Sequence, residues 1–320
     1  MLRLLITILL AAALIAFACA AIFADVVADP RPFFTYHSSV GFLTLYSDEP
    51  YDDADGKRVL ADVAQRLAAS PLNDLYPHEV YIANAPWRQK LFFAPARKAA
   101  GVNYYPLTNN VFLRRSDIGM DVVFGPSGHP AAPPRTLAYY AAHEITHSLT
   151  GERLGARNLW NFLLPQWVRE GYADYVAFGG KADIDELYRR YQAGEPEFDY
   201  RKSGYYTRFR MLTAYMLERE HWTIDQLLDT RLSLDEAQAV MDRGMAAAAA
   251  RAAAAEAAPL RKAEAPPMPP AVALKPVAPP PAVAQKPPPR HHHHHRRRRV
   301  RNTPESPPPG VPPPSNAIRD

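Results

Sequence analysis

The chain's 320 residues suffice for one large domain, but its composition is too uneven for the whole length to fold as one. More than half of the 33 prolines follow position 245, in a stretch of Ala, Pro, His and Arg that cannot bury enough apolar surface to offset its ordering entropy. Residues 246–320 carry 12 Lys and Arg against 4 Asp and Glu, and the first 245 carry 25 against 29, so the basic balance is the tail's and points to no nucleic-acid surface on the folded part.

From the amino terminus, residues 4–23 are apolar apart from Thr7, with Arg3 before them and Asp25 and Asp29 after them. A bilayer span needs about 20 apolar residues, which favours an uncleaved anchor. A signal peptide cut near Ala18-Cys19-Ala20 is the alternative. Lipidation at Cys19 is a third reading, weakened by the missing leucine ahead of it. All three place the domain outside the cytoplasm, in the periplasm or cell envelope, because the positive end stays inside. Cys19 is the single cysteine, so no disulfide framework is available, and an oxidising compartment is tolerated. The expected organisation is a signal or anchor segment over 1–24, a domain over 30–245 and a disordered tail over 246–320.

Within the domain, residues 41–46 (GFLTLY) alternate like a strand and end at a turn over 47–50. Val59, Val63 and Leu67 recur at helical spacing, which predicts a helix over 53–69. Strands are expected at 79–83, at 110–114 and at 121–124, the last two as a pair, with a further element at 90–93. From position 135 the pattern turns helical, with helices expected over 136–149, 166–178, 184–191, 205–220, 224–228 and 234–245. Strands first and helices later describe an α+β fold, a small mixed or antiparallel sheet followed by a helical half.

The chemistry concentrates in that half. His143-Glu144-Ile145-Thr146-His147 sits within a predicted helix, which puts both imidazoles on one face and within reach of one metal ion. Glu144, between them, can hold a water on that ion. Further on comes Trp167-Val-Arg-Glu170-Gly171-Tyr-Ala173-Asp174-Tyr175.

A Trp-x-x-Glu-Gly-x-Ala-x-Tyr segment downstream of H-E-x-x-H resembles the gluzincin metallopeptidases, the thermolysin and aminopeptidase N type, and most closely the broad peptidase-MA-like group. The resemblance covers roughly residues 135–217. It implies a helical zincin half with one zinc ion held by His143, His147 and Glu170. It also implies Glu144 as the catalytic base and Asp174 as the partner that orients His143. Two imidazoles and one carboxylate leave zinc a fourth position for water, as a catalytic site requires.

Tyr206, on a later predicted helix, resembles the tyrosine that stabilises the oxyanion in aminopeptidase N-type enzymes, although Arg208-Phe209 replace the usual Lys-Gly and a plain cleft aromatic is the alternative. The Gly-x-Met-Glu-Asn segment of those aminopeptidases is missing between positions 103 and 134. A metalloendopeptidase acting on peptide or protein is therefore expected ahead of an aminopeptidase, with residues 109–115 as the edge strand that pairs with substrate. His37, His78, His129 and His221 read as structural or surface residues, Trp167 as core, and Arg169 as solvated or facing a substrate carboxylate. Beyond the domain, His291 to His295 and Arg296 to Arg299 suit contact with anionic surfaces. The rival function is a non-catalytic scaffold of the cell envelope that keeps the fold, although such a protein would be expected to lose a ligand, the base or the second acid.

Overall fold

A computed structural model of the chain describes residues 1–73, 76–155 and 164–263, with side chains as far as residue 256. The first helix, α1 (Leu2–Ala28), is long and apolar enough to cross a membrane by length and composition, and by the same measure could be a signal segment. Strands β1 (Tyr36–Val40) and β2 (Leu43–Ser47) form an antiparallel hairpin. Its turn needs the positive φ of Gly41, +58°, a backbone region open to a residue without Cβ. Helix α2 (Asp53–Leu67) opens on Asp52, whose side chain accepts the Ala54 N–H, and buries Val59, Leu60, Val63 and Leu67. Strand β3 (His78–Ile82) returns parallel to β2.

Helix α3 (Pro86–Phe92) follows, so residues 90–93, expected as an undefined element, end a helix that Pro86 opens. Strand β4 (Gly101–Asn103) then pairs antiparallel with β5 (Val111–Leu113), and β5 pairs parallel with β3. The resulting sheet is mixed, in the order β1-β2-β3-β5-β4. Two expectations need correction here. The strands at 110–114 and 121–124 do not pair with each other: β7 (Val122–Val123) pairs with β6 (Ser116–Asp117) in a separate ribbon. Nor is the 109–115 segment an edge, because β4 covers it; the free edge beside the site belongs to residues 101–103.

Period-two alternation splits the strand side chains between two cores. Leu43, Leu45, Val80, Ile82, Val111 and Leu113 face a large core shared with the helices. Tyr46, Tyr81 and Phe112 face the other side, where they stack in a row with Phe92 at centroid distances of 4.8, 5.5 and 4.7 Å. This second core also takes the end of α1, with Val27 fully buried and Phe23 edge-on to Tyr104 at 5.4 Å. The Asn110 side-chain amide donates to the carbonyls of Val27 and Ala28 and so fixes that end.

The second half is helical, as expected: α4 (Leu137–Leu154), α5 (Gln166–Ala177), α6 (Ile184–Gln192), α7 (Tyr200–Ser203), α8 (Thr207–Ala214), α9 (Ile224–Asp229) and α10 (Leu234–Ala263). A π-turn over Tyr215–Arg219 continues α8. Helix α4 runs past its expected end at 149, through Gly151, and ends at Gly155 with φ +53°. Helix α10 passes position 245 and extends to Ala263; the rest of the tail, with its His and Arg runs, lies outside the described residues.

Candidate metal centre

Helix α4 starts at a Thr136 cap whose side chain accepts the Tyr139 N–H. The capped register places His143 and His147 one turn apart on the face toward α5. Helix α5 opens after Pro165, and the Trp167 indole N–H donates 2.8 Å to the Leu232 carbonyl, which ties its first turn to the end of the helical half. Trp167 is core, as expected. Gly171 allows α5 close onto α8: a Cβ there would stand 2.6 Å from the Phe209 carbonyl oxygen and 2.5 Å from Thr213 Oγ1. Glu170, the neighbour of that glycine, is thereby aimed across at α4.

The result is a buried group of three donors. Glu170 Oε2 lies 3.5 Å from His143 Nε2 and 3.6 Å from His147 Nε2, and one donor atom from each residue lies within 4.8 Å of the others. A tetrahedral ion bound at about 2.0–2.2 Å separates its donors by about 3.3–3.6 Å, which both spacings from Glu170 to the histidines match. His143, His147 and Glu170 could therefore hold a metal ion, and all three also line a cleft of about 530 Å³.

Electrostatics are consistent with such an ion. Burial drives the His147 imidazole down to about 4, hence neutral and free to donate a lone pair. Burial works against the Glu170 carboxylate, but its bond to His143 and the cationic Arg169 beside it hold it far below the usual range. Burial also disfavours the charge on His143, yet the bond to Glu170 and the carboxylates around it raise its pKa overall. Glu144, buried beside them, is pushed up to about 7, chiefly by burial.

One wall of the cleft is the β4 edge. Gly101 stands so close to Glu144 that a Cβ would come within 2.9 Å of both its Cγ and its Oε1. The Asn103 backbone hydrogen-bonds the Glu144 carboxylate, and its side-chain amide donates 2.7 Å to Ser148 Oγ, tying β4 to α4. The opposite wall carries Tyr205 and Tyr206. The Tyr206 ring is nearly parallel to that of His143, with centroids 5.8 Å apart, and burial followed by the Glu170 charge raises its hydroxyl far above the ordinary value.

Asp174 is fully buried behind the donors. It accepts a hydrogen bond from the Tyr139 hydroxyl, and its Oδ2 lies 3.5 Å from Arg210 Nε. No hydrogen bond joins it to His143, whose buried Nδ1 has no partner among the described residues. Arg169 donates 2.9 Å to Glu170 Oε1 and is committed to that carboxylate. His37, His78, His129 and His221 stay out of the cleft.

Sequence reasoning missed Gly101, Asn103, Arg135, Tyr139 and Tyr140, all of which line the cleft. Tyr139 and Tyr140 were findable, because each stands four residues before His143 or Glu144 on the same helical face. Nothing local marked Gly101 or Asn103. No family model matches the chain, and no curated protein is detectably similar to it.

Proposed function

We propose that the chain is a zinc-dependent peptide hydrolase of the gluzincin type, acting as an endopeptidase. The observation that carries the reading is the convergence of His143, His147 and Glu170, from two helices, with Glu144 beside them in an open cleft. When bound, zinc would supply Lewis-acid polarisation of a water and of the scissile carbonyl. The chain's own residues supply the rest. Glu144 accepts the proton of the attacking water and returns it to the leaving amine. The Tyr206 hydroxyl, kept protonated by its burial, donates to the developing oxyanion. The β4 edge offers unpaired backbone groups along which an extended peptide can lie. With α1 as anchor, the domain is held on the extracytoplasmic face of a membrane.

Metal analysis and one substitution test this together. Full-length protein with His291 to His295 exchanged for serine, so that the histidine run cannot add metal to the count, is expected to hold about one zinc per chain. Glu144→Gln should keep that zinc and lose roughly 10²–10⁴-fold in peptide turnover. Absence of stoichiometric metal, or loss of metal with the Glu144→Gln exchange, overturns the assignment.

A further inference from the structure

The far end of the cleft carries more positive charge than its surroundings balance. Arg135, just ahead of α4, lies half-buried with its guanidinium stacked 3.8 Å over the Tyr205 ring. It shares the Phe178 ring with Arg210, at 5.7 and 3.7 Å respectively. The carboxylate between these two guanidiniums is Asp174, already bonded to Tyr139 and closest to Arg210. The next acid, Glu197, is paired with Arg190 at 2.9 Å. Two cations thus share one buried carboxylate, and Arg135 forms no ion pair among the described residues. Lys98, which is exposed, also lines the cleft and forms no ion pair among the described residues. The cleft's own acids, Glu144 and Glu170, sit at the metal group. Arg135 meets the Tyr139 hydroxyl and the field of Asp174, and its guanidinium has no carboxylate of its own within ion-pair distance, so it can receive an incoming anion.

We infer that Arg135 forms an anion subsite at the end of the cleft, which takes a carboxylate of the peptide substrate. The inference deepens the peptidase reading and rests on it for the identity of the ligand. Arg135 lies 5.6 Å from the Tyr139 ring centroid, which in turn lies 5.9 Å from that of His143. At about 3.3–3.6 Å per extended residue, the subsite is within about three residues of the bond being cut. The guanidinium fork suits a carboxylate geometrically, and the Tyr205 face holds the fork in place. The carboxylate belongs either to an Asp or Glu side chain or to the free carboxyl terminus of the peptide.

Binding to the full-length protein, stripped of metal by a chelator, tests the subsite without turnover. Short peptides would be compared by calorimetry in matched forms: Glu against Gln within the peptide, and free acid against amide at its end. A carboxylate form is expected to bind about 10–100-fold more tightly than its neutral match, with the two series telling the two sources apart. Arg135→Gln should collapse that ratio toward one, and Arg135→Lys should restore part of it. Equal affinities for charged and neutral forms, or no measurable binding of any peptide, overturn the subsite. Turnover of the same peptides by metal-loaded protein keeps the two proposals apart. Cleavage without charge preference sinks the subsite alone, whereas charge-selective binding without any cleavage sinks the peptidase and leaves the subsite.

Discussion

The helical half and the sheet half contribute differently to the same cleft. All three candidate ligands and the candidate base stand on α4 and α5, where the period of the helix fixes spacing within each motif. The sheet half lends no donor to the metal group; it lends the short edge β4, whose glycine admits the Glu144 side chain and whose asparagine ties the wall to α4. Chemistry thus comes from local periodicity and shape from long-range pairing. If that division is right, damage in the helical half should cost metal and stability together. Damage in the sheet half should cost turnover with the metal retained.

The largest effect should come from Asp174. Its carboxylate receives the Tyr139 hydroxyl and neutralises Arg210, whose side chain is only 14% exposed. Asp174→Asn leaves that guanidinium buried without its charge partner, an error of about 3–5 kcal/mol in comparable buried pairs. If Asp174 also steadies His143, zinc affinity should fall by about 10–100-fold. Chemical denaturation and competitive zinc titration measure the two separately. Unchanged stability would break the comparison at its helical end; unchanged affinity at lowered stability would make Asp174 a packing residue only.

A smaller effect is expected at Gly171. Alanine there sets a Cβ against the Phe209 carbonyl, a backbone atom that cannot swing aside. The two helices must separate, at about 1–3 kcal/mol for overpacking of this kind. Because Glu170 precedes this glycine, metal affinity should weaken along with the thermal midpoint. A stable Gly171→Ala protein with full zinc affinity would show that the closeness of α5 and α8 is incidental to the site.

This division also explains what the sequence made legible. His143, Glu144 and His147 declare themselves within five residues, and Glu170 and Asp174 within one helix turn. Pro134, Pro165 and Gly179-Gly180 bracket these segments with ordinary start and stop signals. Gly151 misled because glycine often ends a helix; here the space its missing Cβ leaves is filled by the Tyr105 ring, so packing overrides the local signal. Strand β4 was invisible: Gly101-Val102-Asn103 has no alternation, and only pairing with β5 makes it a strand. Missing it made residues 109–115 look like the edge. Residues 36–40 escaped for a similar reason, since Tyr-His-Ser-Ser-Val is mostly polar on an outer strand.

The smallest change, and the sharpest test of the comparison, is Gly101→Ala. A Cβ at this position would lie 2.9 Å from Glu144 Cγ and Oε1 and 2.8 Å from Leu113 Cδ2, closer than atoms of folded proteins tolerate. All three are side-chain atoms, and Glu144 is the one that can swing away from the wall. Stability should fall by about 1–3 kcal/mol, because the carboxylate can rotate away but the fully buried Leu113 has to shift in the core, while β4 keeps its pairing with β5. The candidate ligands on α4 and α5 are untouched, so zinc content is expected to stay at the wild-type level. What moves is the candidate base, and a displacement of about 1 Å can cost up to about 10²-fold in rate. A loss of about tenfold in turnover is expected here, since Glu144 keeps its chemistry and loses only its aim. Zinc content by elemental analysis, the melting midpoint and kcat on one peptide settle the matter together. Zinc lost along with turnover would mean that the sheet wall supports the donors after all, and the division between the halves would fall.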